Sequence, residues 1–141
     1  MDPNERFQGK FLKDMEEVLD ASGLSERWEL DEGNSFLYGR AEEALDGREP
    51  FHWEVDVLLE NKEDPSEGLE IYGNESGSCG VDSEGNYEPY SLEFDEMEFG
   101  IYDRSGQELT DLEEGSDEAV FMDAFSEWLD FWHEDWYGER I

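Results

Sequence analysis

Basic residues are scarce in this chain. Its 141 residues include 9 Lys and Arg against 42 Asp and Glu, which gives a formal net charge of -33. Because like charges repel, binding to DNA, RNA or an anionic membrane surface is disfavoured. The charge instead predicts a strongly basic protein as the partner.

Cysteine and long apolar runs are also nearly missing. The single cysteine, Cys79, cannot form an internal disulfide, which agrees with a reducing compartment. The chain contains no run of about 18 apolar residues, the length that would suggest a transmembrane helix. Residues 1–5 lack the basic start and apolar run of a secretory signal. We therefore expect a cytoplasmic protein that makes no membrane contact.

Residues suited to nucleophilic or metal chemistry are few. A Cys–His pair would join Cys79 to one of 2 histidines, but the acids around residues 77–80 disfavour the thiolate that acts as nucleophile. We interpret Cys79 as a bystander in a loop. Paired carboxylates are uninformative, because among 42 acids some pair meets any chosen distance. We expect no enzymatic activity, no cofactor and no metal site.

Calcium is the strongest ligand candidate that remains. Asp82, Glu84 and Glu93 stand where an EF-hand loop carries oxygen ligands. Tyr87, however, occupies the sixth position, where that loop requires glycine. A solvated loop is the better interpretation, and weak calcium binding by residues 73–93 is left open.

Aromatic residues are abundant instead, at 14% of the chain. They extend from Phe7 to Tyr137, whereas a disordered acidic tail would be poor in them. A chain of this length can bury a core without disulfides or a metal. We therefore expect one acidic globular domain over residues 1–141.

Helix signals stand at both ends of the chain. Residues 2–5 resemble a capped helix start, apolar residues follow at helical spacing, and Gly23 is a good stop, which predicts a helix over 3–22. Ser116 is the predicted N-cap of a last helix. Helical spacing brings its apolar residues to one side, namely Phe121, Phe125, Trp128, Leu129, Trp132 and Trp136.

Alternating patterns predict strands between the helices. Trp28 with Leu30, and Phe36 with Tyr38, flank a turn-rich segment at 31–34, which predicts a hairpin.

The clearest strand follows, with the alternate residues Phe51, Trp53, Val55, Val57 and Leu59 facing a core. Residues 69–71 form a shorter strand, and residues 73–89, dense in Gly and Ser, predict a long loop or wide turn. Beyond Tyr90 the alternation slips by one residue at 95–96, which predicts a β-bulge.

These elements predict an α+β fold. It consists of an N-terminal helix, an antiparallel β-meander of about four to six strands, and an amphipathic C-terminal helix, with both helices packed on one face of the sheet.

The predicted elements would arrange the acids in rows. On the last helix, acids recur three or four residues apart, about 5–6 Å along the axis. On the strands they stand two apart, about 6.6 Å. Both steps are close to the phosphate spacing along a nucleic-acid strand, and duplex DNA as long as a compact chain of this size carries about 22 phosphates. The predicted partner-binding acids are Asp123, Glu127, Asp130 and Glu134 on the helix, and Glu54, Asp56, Glu93, Asp95, Glu96 and Glu98 on the strands.

Aromatic residues at the chain end exceed what one core face requires. Since interfaces draw much of their energy from a few buried aromatics, we predict Phe131, Trp136 and Tyr137 as anchors.

In charge and size the chain is similar to the acidic nucleic-acid mimics that block restriction enzymes, CRISPR effectors, glycosylases or DNA-packing proteins. It is also similar to the immunity proteins that neutralise nuclease toxins. No shared motif accompanies either resemblance. The sequence favours a DNA-mimic inhibitor of a basic nucleic-acid-binding protein, and it leaves dimerisation open.

The main alternative is a small salt-adapted domain whose acids serve solubility. Salt-adapted chains are expected to favour Asp and small residues. Here Glu outnumbers Asp by 27 to 15 and bulky aromatics are frequent, and both features weigh against this alternative. An immunity protein for a nuclease toxin is the other alternative.

Overall fold

The structure is a computed structural model. It describes the backbone of residues 3–41, 47–84 and 87–140, and the side chains of residues 8–39, 47–84, 88 and 93–132. Two helices and a five-stranded antiparallel sheet make up the fold. In chain order they are α1 (Pro3–Ser22), β1 (Trp28–Leu30), β2 (Phe36–Ala41), β3 (Arg48–Asn61), β4 (Gly68–Val81), β5 (Tyr87–Asp103) and α2 (Asp117–Arg140), with a short 3-10 turn at Leu24–Glu26. The predicted α+β fold is confirmed.

Both helices end or begin at the predicted residues. α1 ends at Ser22, and Gly23 follows with φ of 80°, the left-handed conformation that commonly closes a helix. At the start of α2, the Ser116 hydroxyl accepts the Ala119 N–H at 3.2 Å, as an N-cap does. The predicted cap at Asp2 lies outside the described residues.

The two helices pack side by side on one face of the sheet, as predicted. Phe11 of α1 meets Trp128 of α2 with ring centroids 5.6 Å apart. Trp132 in turn meets Trp53 of β3 edge to face at 5.5 Å. The predicted core strand is also confirmed, since Phe51, Trp53, Val55, Val57 and Leu59 are all buried.

The predicted hairpin at residues 31–34 is wrong. β1 and β2 both run antiparallel to β3 along the same edge, with Leu30 opposite Leu59 and Phe36 opposite Asp56. The segment between them bulges outward while it stays bonded to Leu58. The N–H of Asp31 donates to the Leu58 carbonyl, and the Ser35 hydroxyl accepts the Leu58 N–H, both at 2.9 Å.

A side chain of α1 completes the outer edge of β2. The Gln8 amide donates to the Ser35 carbonyl at 3.0 Å and accepts the Leu37 N–H at 2.8 Å. This contact fixes the phase of β2, so Leu37 is buried in the core. The aromatics that carried the alternation, Phe36 and Tyr38, consequently lie on the other face of the sheet.

The long loop predicted over residues 73–89 is wrong at both ends, because β4 continues to Val81 and β5 begins at Tyr87. Glycines in this strand make room for the backbone and rings of neighbouring strands. A Cβ on Gly77 would lie 2.1 Å from a β5 carbonyl oxygen and 2.8 Å from the Phe51 ring, and one on Gly73 would lie 2.2 Å from a β5 carbonyl oxygen and 2.5 Å from the Phe99 ring. A glycine-rich composition is typical of loops, but in β4 the glycines allow neighbouring strands to pack closely.

Two residues assigned to that loop are buried in β4. Cys79 is fully buried, with its sulfur 3.4 Å from the Glu88 carbonyl oxygen, so the interpretation as a loop bystander is wrong. Glu75 is only 1% exposed and lies between Trp53 of β3 and Met97 of β5 in the ladder.

The β-bulge predicted in β5 is confirmed. Ser76 lies opposite Glu96 while Gly77 lies opposite Phe94, so Asp95 is the extra residue. A second register shift lies between Ser78 and Gly80. β5 ends at Asp103, and in the turn that follows the Gly106 N–H donates to the Asp103 carbonyl at 3.0 Å.

Within the described residues, no helix combines the length and hydropathy needed to cross a membrane.

Replacement of glycine by alanine should have opposite effects on stability at a crowded and at an open position. A Cβ on Gly39 would lie 1.7 Å from the Trp53 ring, which Trp132 holds from the other side. We expect Gly39→Ala to lower the free energy of unfolding by about 2 kcal/mol or more. In the matched control Gly9→Ala, on α1 with open space around it, we expect a gain of about 0.5–1 kcal/mol. Urea unfolding measures both, and equal effects would contradict the packing.

Candidate functional site

The sheet face opposite the helices is uncovered by any described helix or strand; we call it the open face. Its residues alternate with the core residues of β3, β4 and β5. Five of the acids predicted from the strands, Glu54, Asp56, Glu93, Glu96 and Glu98, lie on this face by that alternation, and the sixth, Asp95, is the extra residue of the bulge.

Acids on the open face form two rows with a neutral floor between them. Glu54 of β3 and Glu98 of β5 both lie opposite Asn74 of β4, one on each side. Two strand spacings separate them, about 9.6 Å. The outward residues of β4 next to Asn74 are Tyr72 and Ser76, which carry no charge. Negative charge therefore lies on both sides of a polar, uncharged strip formed by Tyr72, Asn74 and Ser76, and Glu70 follows on the same face of β4.

The β5 row is the more exposed of the two. The side chains of Glu93, Asp95, Glu96 and Glu98 are all exposed, whereas Glu54 is half-buried. At one end of the row Arg48 lies 3.6 Å from the Glu93 carboxylate and also donates to the Ser78 hydroxyl. Residues 96–98 thus form the least compensated part of the row.

Asp56 has an unusual environment on the open face. Its ladder neighbours are Phe36 on β2 and Tyr72 on β4, and within the described residues its buried Oδ1 lacks a hydrogen-bond partner. Burial raises the pKa of Asp56 to about 8, and the hydrogen bond to Glu70 and the charge of that carboxylate act in the same direction. At neutral pH this predicted binding acid is therefore largely protonated, and its contribution to the negative charge is small.

Aromatics on the open face were missed by the sequence prediction of anchors. Tyr38 is 48% exposed and lies beside Glu54, and Tyr72 is 40% exposed. Their side of the sheet depends on the phase of β2 and β4, which local alternation did not fix.

The predicted helix acids lie on the opposite side of the molecule. Asp123, Glu127 and Asp130 are exposed on α2, facing away from the sheet that Phe125 and Trp132 contact. The backbone of Glu134 continues α2, but its side chain lies outside the described residues. The helix row and the open face are therefore two separate surfaces.

Of the predicted anchors, Phe131 is 67% exposed and lies next to the helix row. The side chains of Trp136 and Tyr137 lie outside the described residues.

A third acidic surface joins residues distant in sequence. Glu16 and Asp20 of α1 line a groove with Glu32, which follows β1. The hydrogen bond to Glu32 and its negative charge raise the pKa of Glu16. Only the packing of α1 beside the 31–35 segment creates this surface, so no local sequence signal marks it.

One acid of α2 has a structural role. Asp117 accepts hydrogen bonds from the Arg27 guanidinium and, at 2.8 Å, from the Trp28 indole. The Arg27 bond is the main cause that lowers the pKa of Asp117. This contact fixes the start of α2 to β1.

No protein-family model, curated protein or solved structure matches the chain. Its function is therefore inferred from its own residues.

Metal ligands are not clustered in the described part of the chain, where no group of three or more His, Cys, Asp or Glu is placed to hold an ion. The calcium hypothesis for residues 73–93 involves positions 85 and 86, which lie outside the described residues, so it stays a hypothesis.

The protonation of Asp56 predicts a pH dependence of stability. Its pKa rises from 3.8 to about 8 on folding, so between these values the folded state holds a proton that the unfolded state releases. Stability therefore falls as pH rises through this window. Asn can replace the protonated carboxyl as donor to Glu70. We expect Asp56→Asn to add about 1 kcal/mol to the free energy of unfolding above pH ~8, and much less near pH ~5.

Urea unfolding at both pH values measures the difference. Glu54→Gln on the same strand is the control for the loss of one charge. If Asp56→Asn stabilises equally at both pH values, only net charge has changed, and the assigned protonation of Asp56 is wrong.

Proposed function

We propose that this protein is a non-enzymatic inhibitor that occupies the basic nucleic-acid-binding site of a partner protein in the cytoplasm. Nucleases, restriction or CRISPR effectors and DNA-packing proteins have sites of this chemistry. In this proposal the acids replace the phosphates of the nucleic acid.

The observation that carries the proposal is the pair of acidic rows on the open face. A DNA groove also presents two lines of negative charge with an uncharged polar floor between them. Here Glu54 supplies the charge on one side, the β5 acids Glu93, Glu96 and Glu98 supply the other, and Asn74 lies on the floor. A protein site that binds phosphates on both sides of a groove would meet a similar pattern.

The sheet holds these charges in fixed positions. β3, β4 and β5 pair along most of their length, and the face behind them rests on the aromatic core. Charges that are already positioned lose little conformational entropy on binding, so more of their attraction appears as affinity. Exposed Tyr38 and Tyr72 add apolar contact beside the rows.

An immunity protein for a nuclease toxin would use the same surface chemistry. The two differ in their target rather than in the binding mode proposed here, so the same experiment identifies which one applies.

The first test is capture of targets from the lysate of a host that carries nucleases and phages. We expect immobilised protein to retain basic nucleic-acid-binding proteins, identified by mass spectrometry, and duplex DNA to displace them. Association should weaken steeply with salt, because exposed charges drive it. Retention that excess DNA leaves unchanged would contradict nucleic-acid mimicry.

Three variants with equal charge change locate the surface. The sheet triple Glu54→Gln, Glu96→Gln and Glu98→Gln should weaken binding of the captured target by about tenfold or more, or about 1.4 kcal/mol. The loop triple Glu63→Gln, Glu113→Gln and Glu114→Gln, on exposed residues outside the strands, should change affinity by less than about twofold. The helix triple Asp123→Asn, Glu127→Gln and Asp130→Asn measures whether the acids of α2, on the side of the molecule opposite the open face, contribute to affinity.

Equal losses in the sheet and loop triples would show that net charge alone determines binding. That result would remove the open face from the proposed site.

A further inference from the structure

A groove runs between α1 and α2 on the side of the molecule opposite the open face. It encloses about 470 Å³. Its floor is apolar, with Val18 and Ala21 from α1 and Ala124 and Trp128 from α2, and exposed Phe131 lines it as well. Both walls are helices held by core contacts, so the groove is preformed.

The rims of the groove are acidic on both sides. Asp14 and Glu17 stand on the α1 rim, and Glu127 stands on the α2 rim. Among the described residues that line the groove, the cation is Lys10, which lies 3.3 Å from the Asp14 carboxylate and 5.9 Å from the centre of the Trp132 ring. Asp14 also accepts the Trp128 indole N–H at 3.0 Å, so its position is fixed from two directions.

The dimensions of the groove suit a helix. α1 and α2 are antiparallel, since Phe11 contacts Trp128 while Arg27, beyond the end of α1, binds Asp117 at the start of α2. The lining runs from Lys10 to Ser22 on α1, which is about 18 Å at 1.5 Å per residue, or some three helical turns.

We propose that this groove receives a basic amphipathic helix of the target protein. Apolar side chains of that helix would lie on the floor against Trp128 and Phe131, and its Lys or Arg residues would reach the acids on both rims. This inference rests on the proposed function and adds a second contact with the target, on the side opposite the open face. Many DNA-binding proteins present such a basic helix to DNA, and amphipathic helices bind grooves through apolar residues at helical spacing.

Charge complementarity decides between occupants. A second copy of this chain has a net charge of -33 and would be repelled by the acidic rims. This repulsion disfavours self-association. A basic helix is attracted to both rims at once.

Two peptides of identical composition provide the probe. One is a 16-residue helical peptide with leucines along one face and arginines along its flanks; the other has the same residues scrambled so that the leucines surround the helix. We expect calorimetry to give at least tenfold tighter binding for the first. Equal affinities would show only attraction between opposite charges and would overturn the proposal.

Two neutral substitutions test the groove itself. Phe131→Ser removes the exposed ring, and Ala21→Gln places bulk on the floor. We expect each to weaken binding of the amphipathic peptide by about tenfold, with unchanged circular dichroism. Met97→Ser is the control, an exposed apolar side chain of β5 outside the groove, and it should change affinity by less than twofold. An equal loss in Met97→Ser, or a native dimer that Phe131→Ser dissociates, would overturn the proposal.

The captured target separates this proposal from the proposed function. If DNA displaces the target and Phe131→Ser leaves its affinity unchanged, nucleic-acid mimicry stands and the groove proposal is wrong. If no basic nucleic-acid-binding protein is captured, the proposed function is wrong whatever the peptides do.

Discussion

Electrostatic self-repulsion is the constraint that the rest of this fold has to withstand. The chain has 42 acids and 9 cations, so its formal net charge of -33 is left uncompensated. Carboxylates even face each other, as Asp56 faces Glu70 and Glu16 faces Glu32. The few cations help to join elements, as Arg27 does at the start of α2. Ion pairing therefore contributes little to net stability, and the core must supply it.

The core offsets this repulsion with aromatic rings that pack directly against the backbone of glycines in the sheet. Trp132 stacks on Trp128 at 5.6 Å and meets Trp53 edge to face, while Trp53 in turn covers Gly39. Large rings bury much apolar area per residue, and glycine allows them to approach the sheet closely. The same packing keeps β3, β4 and β5 rigid, so the acids on their other face stay in register. Stability and the proposed recognition thus depend on one layer of rings.

The sequence predicted correctly those features that depend on residues close together in the chain. The capping at Gly23 and Ser116 and the alternation through β3 involve neighbours in sequence, and the helix ends and core strand followed from them. The strand at 73–81 was missed because glycine carries no side chain to show alternation, and the backbone and rings that require glycine come from other strands. Likewise, spacing predicted rows of acids, but only the strand pairing shows that uncharged residues of β4 lie between them, and only the packing of the rings shows that α2 lies on the far side.

The central claim is that the acids serve a partner and not adaptation to high salt. Its most direct test is cooperative urea unfolding, followed by near-ultraviolet circular dichroism of the tryptophans, over a range of NaCl concentrations. At about 0.1 M salt exposed charges still interact over about 10 Å, so repulsion acts nearly in full. We predict a folded protein with a sharp transition at this concentration, and a moderate gain in stability as salt screens the acids. A chain that folds only in molar salt would contradict the claim.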